Sequence, residues 1–180
     1  AVVIRLLFAF ARDRYDMPAN PAGDVKNPAR QTRRARFLDR DEIRVVWKAC
    51  ESVGYPWGHA LRLALCTGQR IGEVGNILRR DIDSTGQFWQ QTENKSAQRI
   101  DIFLAPLARA ILDSCPKHGD PGPFFSASSD KDGTPRPIHS DAWSNAMKRH
   151  ITPALAASAD ALGLPRISRP WTAHDLRRTV

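Results

Sequence analysis

The sequence predicts a mainly helical α+β fold with one small antiparallel sheet, and three observations support this. Of its 180 residues, 42% are hydrophobic, which is enough for one well-packed core. Apolar side chains recur at helical spacing through most of the chain. Only residues 87–104 show the alternation and the aromatic or β-branched composition of strands. We therefore expect one domain at residues 29–180 and a helical appendage before it.

The appendage is residues 1–28. Residues 1–16 place apolar side chains at helical spacing, and residues 17–28 are rich in Pro, Asn and Gly. We interpret them as the last helix of a preceding domain and its linker. The chain starts with Ala, and it ends inside a helical pattern without a helix-ending Gly or Pro. We therefore expect a longer protein that continues beyond both ends.

Capping residues mark the first helices of the main domain. Asp39 and Glu42 form a capping box ahead of an apolar pattern. The buried stripe of this helix is expected to contain Ile43, Val46, Trp47 and Cys50. Two more helices are expected, at residues 59–66 and 70–78, and the turn between them sets the direction of Arg70.

Strands are expected next. Residues 88–92 and 99–104 are rich in β-formers and predict a hairpin, with Lys95 at or near its turn. Pro106 then begins a helix, because the first helical position needs no amide hydrogen. This helix is expected to end near Cys115.

The last third of the domain combines a loop with two helices. Residues 117–137 are rich in Gly, Pro, Ser and Asp, and they predict a loop that is the most mobile segment. Ser140 is expected to cap the next helix, and Pro153 to kink or end it. The buried stripe of that helix would contain Trp143, Ala146, Met147, His150 and Ile151. Thr172 and Asp175 form a second capping box ahead of a last helix.

The chain is basic, with 27 Lys and Arg against 19 Asp and Glu and a net charge of +8. This excess favours a polyanionic partner, nucleic acid first. The basic stretches at residues 29–40 and 166–178 are expected to line a DNA groove. The candidate phosphate contacts are Arg33, Arg34, Arg36, Arg169 and Arg178. The alternative is a solvated face that only aids solubility.

Cysteine and histidine spacing argues against a metal site. The three cysteines, Cys50, Cys66 and Cys115, are far apart and predict reduced core thiols. The five histidines are scattered, so we expect neither a metal nor another cofactor.

No apolar run approaches the roughly 20 residues of a membrane span. We expect a cytoplasmic protein, associated with the nucleoid if DNA is its partner.

Four residues at element starts or turns could converge on one phosphate: Arg70, Lys95, His174 and Arg177. Two arginine forks can hold the non-bridging oxygens and stabilise the charge of a pentacoordinate phosphorane. A lysine on a hairpin turn can give a proton to a departing alkoxide. Each residue alone has an ordinary alternative. Arg70, for example, could form only an intrahelical ion pair with Glu73.

The order and context of these residues resemble one family. Thr67-Gly68-Gln69-Arg70-Ile71-Gly72-Glu73 resembles the first arginine box of the tyrosine recombinases, the family of the phage integrases. His174-Asp175-Leu176-Arg177-Arg178-Thr179, about a hundred residues later, resembles their second box. Residues 92–104 are similar to the hairpin that holds the family's lysine. Residues 37–43 resemble the start of the catalytic domain, and residues 1–28 the end of the core-binding domain.

The resemblance implies the tyrosine-recombinase catalytic-domain fold and site-specific DNA recombination without metal or ATP. Arg70 and Arg177 would hold the scissile phosphate, and Lys95 would protonate the leaving 5′ oxygen. His174 would act in proton transfer around the nucleophilic tyrosine, and Glu73 would orient the site. The implied partners are a double-stranded DNA attachment site and further copies of the protein in a homotetramer, as in the integrases of prophages and other mobile elements.

One part of the family pattern has no match. Tyr15 and Tyr55 both precede Arg70, and we expect them to be partly buried structural aromatics. The resemblance places the nucleophilic tyrosine after Val180, so this chain alone is expected to bind DNA without rejoining it. A second hypothesis is a DNA-binding regulator or a decayed integrase without cleavage activity. A metal-dependent nuclease is disfavoured, because no paired carboxylates are set to hold two metal ions.

Overall fold

The computed structural model describes residues 2–15, 17–25, 36–91, 99–119 and 121–180. The chain divides into two compact units, residues 1–35 and residues 36–180. The predicted boundary after residue 28 lies outside the described residues, so the assignment of the two domains stays a prediction.

The first unit is built around helix α1 (Val2–Tyr15). Arg5 ties this helix to the turn that follows it, because its guanidinium donates to the carbonyls of Ala22, at 3.2 Å, and Val25. Asn20 donates back to the Arg5 carbonyl at 3.0 Å. The apolar residues of α1 are largely exposed, notably Val2, Val3, Ile4, Leu6, Leu7 and Phe10.

The second unit contains helices and two small hairpins. Its described helices are α2 (Arg40–Val53), α3 (Trp57–Thr67), α4 (Ile71–Gly75), α5 (Pro106–Asp113), α6 (Ala142–Ala146), α7 (Thr152–Leu162) and α8 (Ala173–Thr179). Helix α3 is central and contacts α2, α4, α5 and α8, while α2 also packs on α7. The largest fully buried side chains include Trp89, Phe125, Leu61, Leu63, Ile77, Leu104, Ile151 and Leu176. This architecture confirms the predicted mainly helical α+β fold.

The capping box of α2 is confirmed. Glu42 N donates to Asp39 Oδ1 at 2.9 Å, and Asp39 N donates to Glu42 Oε2 at 3.1 Å. The fully buried stripe is Val45, Val46, Ala49 and Cys50. Ile43 and Trp47 are only partly buried, so the predicted stripe was rotated toward the edge of the true one.

The predicted hairpin is confirmed as strands β1 (Phe88–Gln91) and β2 (Ile100–Phe103), which pair antiparallel. Trp89 and Ile102 face each other and are buried, whereas Phe88 and Phe103 pair on the exposed side. The structure also has a second hairpin that the sequence analysis missed, formed by β3 (Ser126–Ser129) and β4 (Pro135–Pro137). Strands rich in Ser and Pro show no apolar alternation, which is why residues 117–137 resemble a loop with only a short ordered piece at 122–126.

The helix start at Pro106 is confirmed, but the expectation that Ser140 caps the next helix was wrong. The helix is interrupted just before Pro153, in agreement with the expected kink or end. The N-cap of α6 is Asp141, with no side-chain cap, and Pro153 lies in the first turn of α7. Between α6 and α7 lies a π-helical turn, Met147–Ile151. Within this turn Ile151 is buried, while His150 is exposed and stacks on Trp57, so the predicted buried stripe does not include His150.

The cysteines are free thiols, as predicted, with Cys50 and Cys115 buried and Cys66 partly buried. Burial raises the pKa of both Cys50 and Cys115 to about 12, which keeps them protonated and unreactive. Among the described residues, no helix has the length and apolar character needed to span a membrane.

Candidate functional site

Arg70 lies where the chain turns from α3 into α4. Gly68 ends α3 with a φ of 64°, a left-handed conformation that glycine adopts without strain. Arg70 is then the N-cap residue of α4, and its backbone N donates to Glu73 Oε2 at 3.1 Å. The turn therefore presents the Arg70 side chain outward, with 47% of it exposed.

Helix α4 is held in place by a close backbone approach at Gly75. Ile138 N donates to the Gly75 carbonyl at 3.0 Å. A Cβ at Gly75 would lie 2.7 Å from the Ile138 carbonyl oxygen and 3.1 Å from Trp143 Cζ2. Only glycine fits there, so this contact sets the depth of the short helix that bears Glu73.

Glu73 joins Arg70 and Arg177. Arg70 Nη1 donates to Glu73 Oε1 at 2.7 Å, and Arg177 Nη1 lies 3.9 Å from Glu73 Oε2. The carboxylate is mostly buried, with 17% of its side chain exposed. Two guanidiniums around one carboxylate leave a net positive charge. Arg177 Nη1 is buried on the Glu73 side, while 38% of the Arg177 side chain is exposed, so the rest of its guanidinium is accessible to an anion.

Helix α8 brings Arg177 to this place. Its predicted start is confirmed, and Asp175 accepts from Thr172 N at 2.8 Å and from the Thr172 hydroxyl at 2.9 Å. The Thr172 hydroxyl therefore donates to the carboxylate and does not cap a backbone amide. His174, in the first turn of α8, is exposed.

Three predicted site residues lie outside the described residues: Lys95, Arg33 and Arg34. For Lys95 the structure gives the two flanking strands, β1 and β2, and nothing further. Arg169 and Arg178 are exposed. Arg178 is ion-paired with Asp175 at 3.4 Å. The four arginines Arg33, Arg34, Arg169 and Arg178 stay candidate DNA contacts, and Lys95 stays a candidate catalytic residue.

The expectation that Arg36 lines the DNA groove was wrong. Only 6% of its side chain is exposed, and Arg36 Nη2 donates to Glu42 Oε1 at 2.5 Å. The bond to Glu42 raises the pKa of Arg36 above its ordinary value, so the guanidinium stays charged. A guanidinium enclosed in this way has no open side from which to bind phosphate.

The two tyrosines differ. Tyr55 is half-buried, its hydroxyl lies 2.6 Å from His118 Nε2, and it accepts from Ser126 N at 2.9 Å. Burial raises the pKa of Tyr55 above its usual value. Tyr15 is 73% exposed, so the expectation of a partly buried side chain was wrong for this residue.

In the described ranges, no group of three or more His, Cys, Asp or Glu residues is placed to hold a metal ion.

The fold matches solved structures of integrases. Lambda integrase, in a tetramer bound to a Holliday junction, superposes with a TM-score of 0.66 at 23% identity, over 99% of this chain and 50% of that one. The lambda integrase catalytic core superposes with a TM-score of 0.53 at 23% identity, over 81% and 84% of the two chains. The Tn1549 transposon integrase, in complex with circular intermediate DNA, gives 0.56 at 14% identity, over 97% and 61%.

These comparisons confirm the predicted fold, which is that of the tyrosine-recombinase catalytic domain. The chain spans about half the length of the lambda integrase chain that it matches first. No protein-family model matches the sequence, and neither does the sequence of any curated protein.

Proposed function

We propose that this chain is the catalytic part of a site-specific tyrosine recombinase, which breaks and rejoins DNA through a phosphotyrosyl intermediate. One observation supports this most strongly: Glu73 lies between Arg70 and Arg177, which come from the start of α4 and from α8, within a tyrosine-recombinase fold. The two arginines lie more than a hundred residues apart in sequence. Their convergence is what binding of one phosphate by both would require.

The charges of this cluster suit a phosphodiester. Glu73 neutralises one guanidinium and orients Arg70, while the exposed parts of the Arg70 and Arg177 side chains remain for the ligand. Paired arginine forks bind the non-bridging oxygens of phosphate and stabilise the charge that develops on them during attack.

In the proposed reaction a tyrosine hydroxyl attacks the phosphorus and the bond from phosphorus to the 5′ oxygen breaks. A 3′-phosphotyrosyl bond forms, and the bond energy is kept for rejoining. His174 would take part in moving the tyrosine proton, and Lys95 would protonate the 5′ oxygen. Tyr55 is engaged with His118 and Ser126, and Tyr15, like Tyr55, precedes the first arginine in sequence. We therefore propose, from the family's order of residues, that the nucleophile lies beyond Val180 and that this chain alone is inactive.

The proposed partner is a double-stranded DNA attachment site. The excess positive charge supports this, as do the lambda integrase structures, one a tetramer bound to a Holliday junction and one a dimer bound to a COC′ core site. We propose a homotetramer on DNA for the full-length protein. Such a substrate would place it at the nucleoid.

The test is formation of a covalent adduct. The full-length protein is incubated with a nicked duplex containing its attachment site, and products are resolved on a denaturing gel. We expect a protease-sensitive protein–DNA adduct that persists in a Tyr15→Phe/Tyr55→Phe double variant, because neither hydroxyl attacks DNA in this proposal.

Two outcomes would overturn the proposal in different ways. Salt-sensitive DNA binding without an adduct, on a verified site, would favour a DNA-binding regulator or a decayed integrase. An adduct that disappears in the double variant would place the nucleophile within this chain.

A further inference from the structure

Two hydrogen bonds through one hydroxyl connect the start of the second unit to helix α8. Leu38 N donates to Thr179 Oγ1 at 3.0 Å, and the same hydroxyl donates to the Asp175 carbonyl at 2.8 Å. Leu38 is 3% exposed, so its amide has little access to water. The Thr179 hydroxyl thus connects an extended segment to the helix that bears His174 and Arg177.

Arg36 makes a second connection between the same two regions. Its guanidinium donates to Glu42 Oε1 at 2.5 Å, to the Phe37 carbonyl at 2.7 Å and, more weakly, to the Arg169 carbonyl at 3.4 Å. Arg169 lies in the segment that leads into α8. The negative charge of buried Asp175 also contributes to the raised pKa of Arg36. Arg36 therefore binds the beginning of α2 and the approach to α8 at once.

These contacts add a second set of restraints to α8, whose buried Leu176 also packs in the core beside α3. The helix has seven residues, about two turns, and isolated helices of that length are not stable in water. The approach of Arg177 Nη1 to Glu73 is long, at 3.9 Å, so this ion pair does not by itself set the position of Arg177. The position must come from the packing of α8 on α3 and from its anchors at residues 36–42.

We propose that Thr179 and Arg36 are positioning residues, which hold α8 so that Arg177 and His174 face the phosphate site beside Arg70 and Glu73. This inference rests on the proposed function. Neither residue touches DNA in it. A small displacement of α8 would leave phosphate binding by Arg70 intact while misplacing the second fork, and reaction rates are more sensitive than affinity to such a displacement.

The experiment compares Thr179→Val with Thr179→Ser in the full-length protein. Valine keeps the volume and β-branching of threonine but removes the hydroxyl, whereas serine keeps the hydroxyl. With saturating nicked duplex, we expect Thr179→Val to form the covalent adduct about tenfold or more slowly in a single turnover. Thr179→Ser should retain most of the rate, and the Kd for DNA should change by less than about twofold in both variants.

Arg36→Lys is the second variant, since it keeps the charge and loses the planar fork. We expect the same pattern from it, a slower adduct with unchanged DNA affinity. All rates are measured well below the melting temperature of each variant, where a purely structural role would leave the rate of the folded protein unchanged.

The possible failures are distinguishable. A wild-type rate in both Thr179→Val and Arg36→Lys, with only lower melting temperatures, would overturn the positioning role and leave the proposed function standing. A loss of DNA affinity equal to the loss of rate would also overturn it, because these residues would then act in binding. Absence of any adduct with the wild-type protein would overturn the proposed function itself.

Discussion

Two helix starts in this molecule use glutamate in the same way, at Glu42 in α2 and at Glu73 in α4. In each, one carboxylate oxygen accepts from the backbone N of the N-cap residue at 3.1 Å. The other oxygen accepts from an arginine, at 2.5 Å from Arg36 and at 2.7 Å from Arg70. The two glutamates thus make the same pair of contacts, although the arginine is itself the N-cap residue only in α4.

The surroundings of the arginines differ. The Arg36 side chain is 6% exposed and has its partners within the fold, whereas the Arg70 side chain is 47% exposed. A second arginine, Arg177, also lies beside Glu73, near Oε2. A guanidinium that is enclosed and paired stabilises the fold. A guanidinium that is oriented but open can bind a ligand. Burial therefore separates an arginine that acts within the fold, Arg36, from the candidate catalytic one, Arg70.

The largest expected effect is at the open site. Arg70→Ala and Arg177→Ala should each slow adduct formation by roughly 10²–10³-fold or more, since each removes donors from the developing phosphorane charge. Their melting temperatures should stay close to wild type, because partly exposed ion pairs add little stability. Adduct assays and thermal melts on the full-length protein test this. A large loss of stability with a small loss of rate would make Arg70 a structural residue and not a catalytic one.

The next effect compares the two glutamates directly. Glu42→Ala leaves Arg36 buried without its charge partner, so we expect the free energy of unfolding to fall by about 3 kcal/mol. This value is the lower end of the range for breaking a buried ion pair, because the Glu42 side chain is 15% exposed. Glu73→Ala loses the same backbone cap but leaves Arg70 solvated, so its cost should be about 1 kcal/mol. Urea unfolding measures both values. Equal losses would refute the distinction by burial.

The smallest effect concerns DNA affinity. The wild-type chain should bind duplex DNA with a steep dependence of log Kd on log salt, and Arg169→Ala should reduce that slope by about 0.9 if this exposed arginine contacts one phosphate. Arg36→Lys serves as the control and should leave the slope unchanged. Binding that ignores salt would count against the DNA groove altogether. A reduced slope in Arg36→Lys would show that Arg36 reaches DNA after all.

Several local features could be predicted because their determinants lie within a few residues of one another. The capping residues Asp39 and Asp175 and the helix-starting Pro106 act over a single turn, so sequence spacing reveals them. The hairpin of β1 and β2 has the expected alternation, with Trp89 and Ile102 inward. The β3–β4 hairpin lacks that alternation, and the π-helical turn at Met147–Ile151 has no sequence pattern that predicts it.

The candidate site divides along the same line. Residue types and their order along the chain predicted Arg70, Glu73, His174 and Arg177 as a set, and the helices that hold them were predicted from local capping and spacing. Three features depend on contacts between residues up to 141 positions apart in sequence. They are the enclosure of Arg36, the anchoring of α8 by Thr179 and the position of Glu73 between two arginines. Burial and charge pairing at such separations are set by the packing of α3 against α4 and α8, and only the tertiary structure decided them.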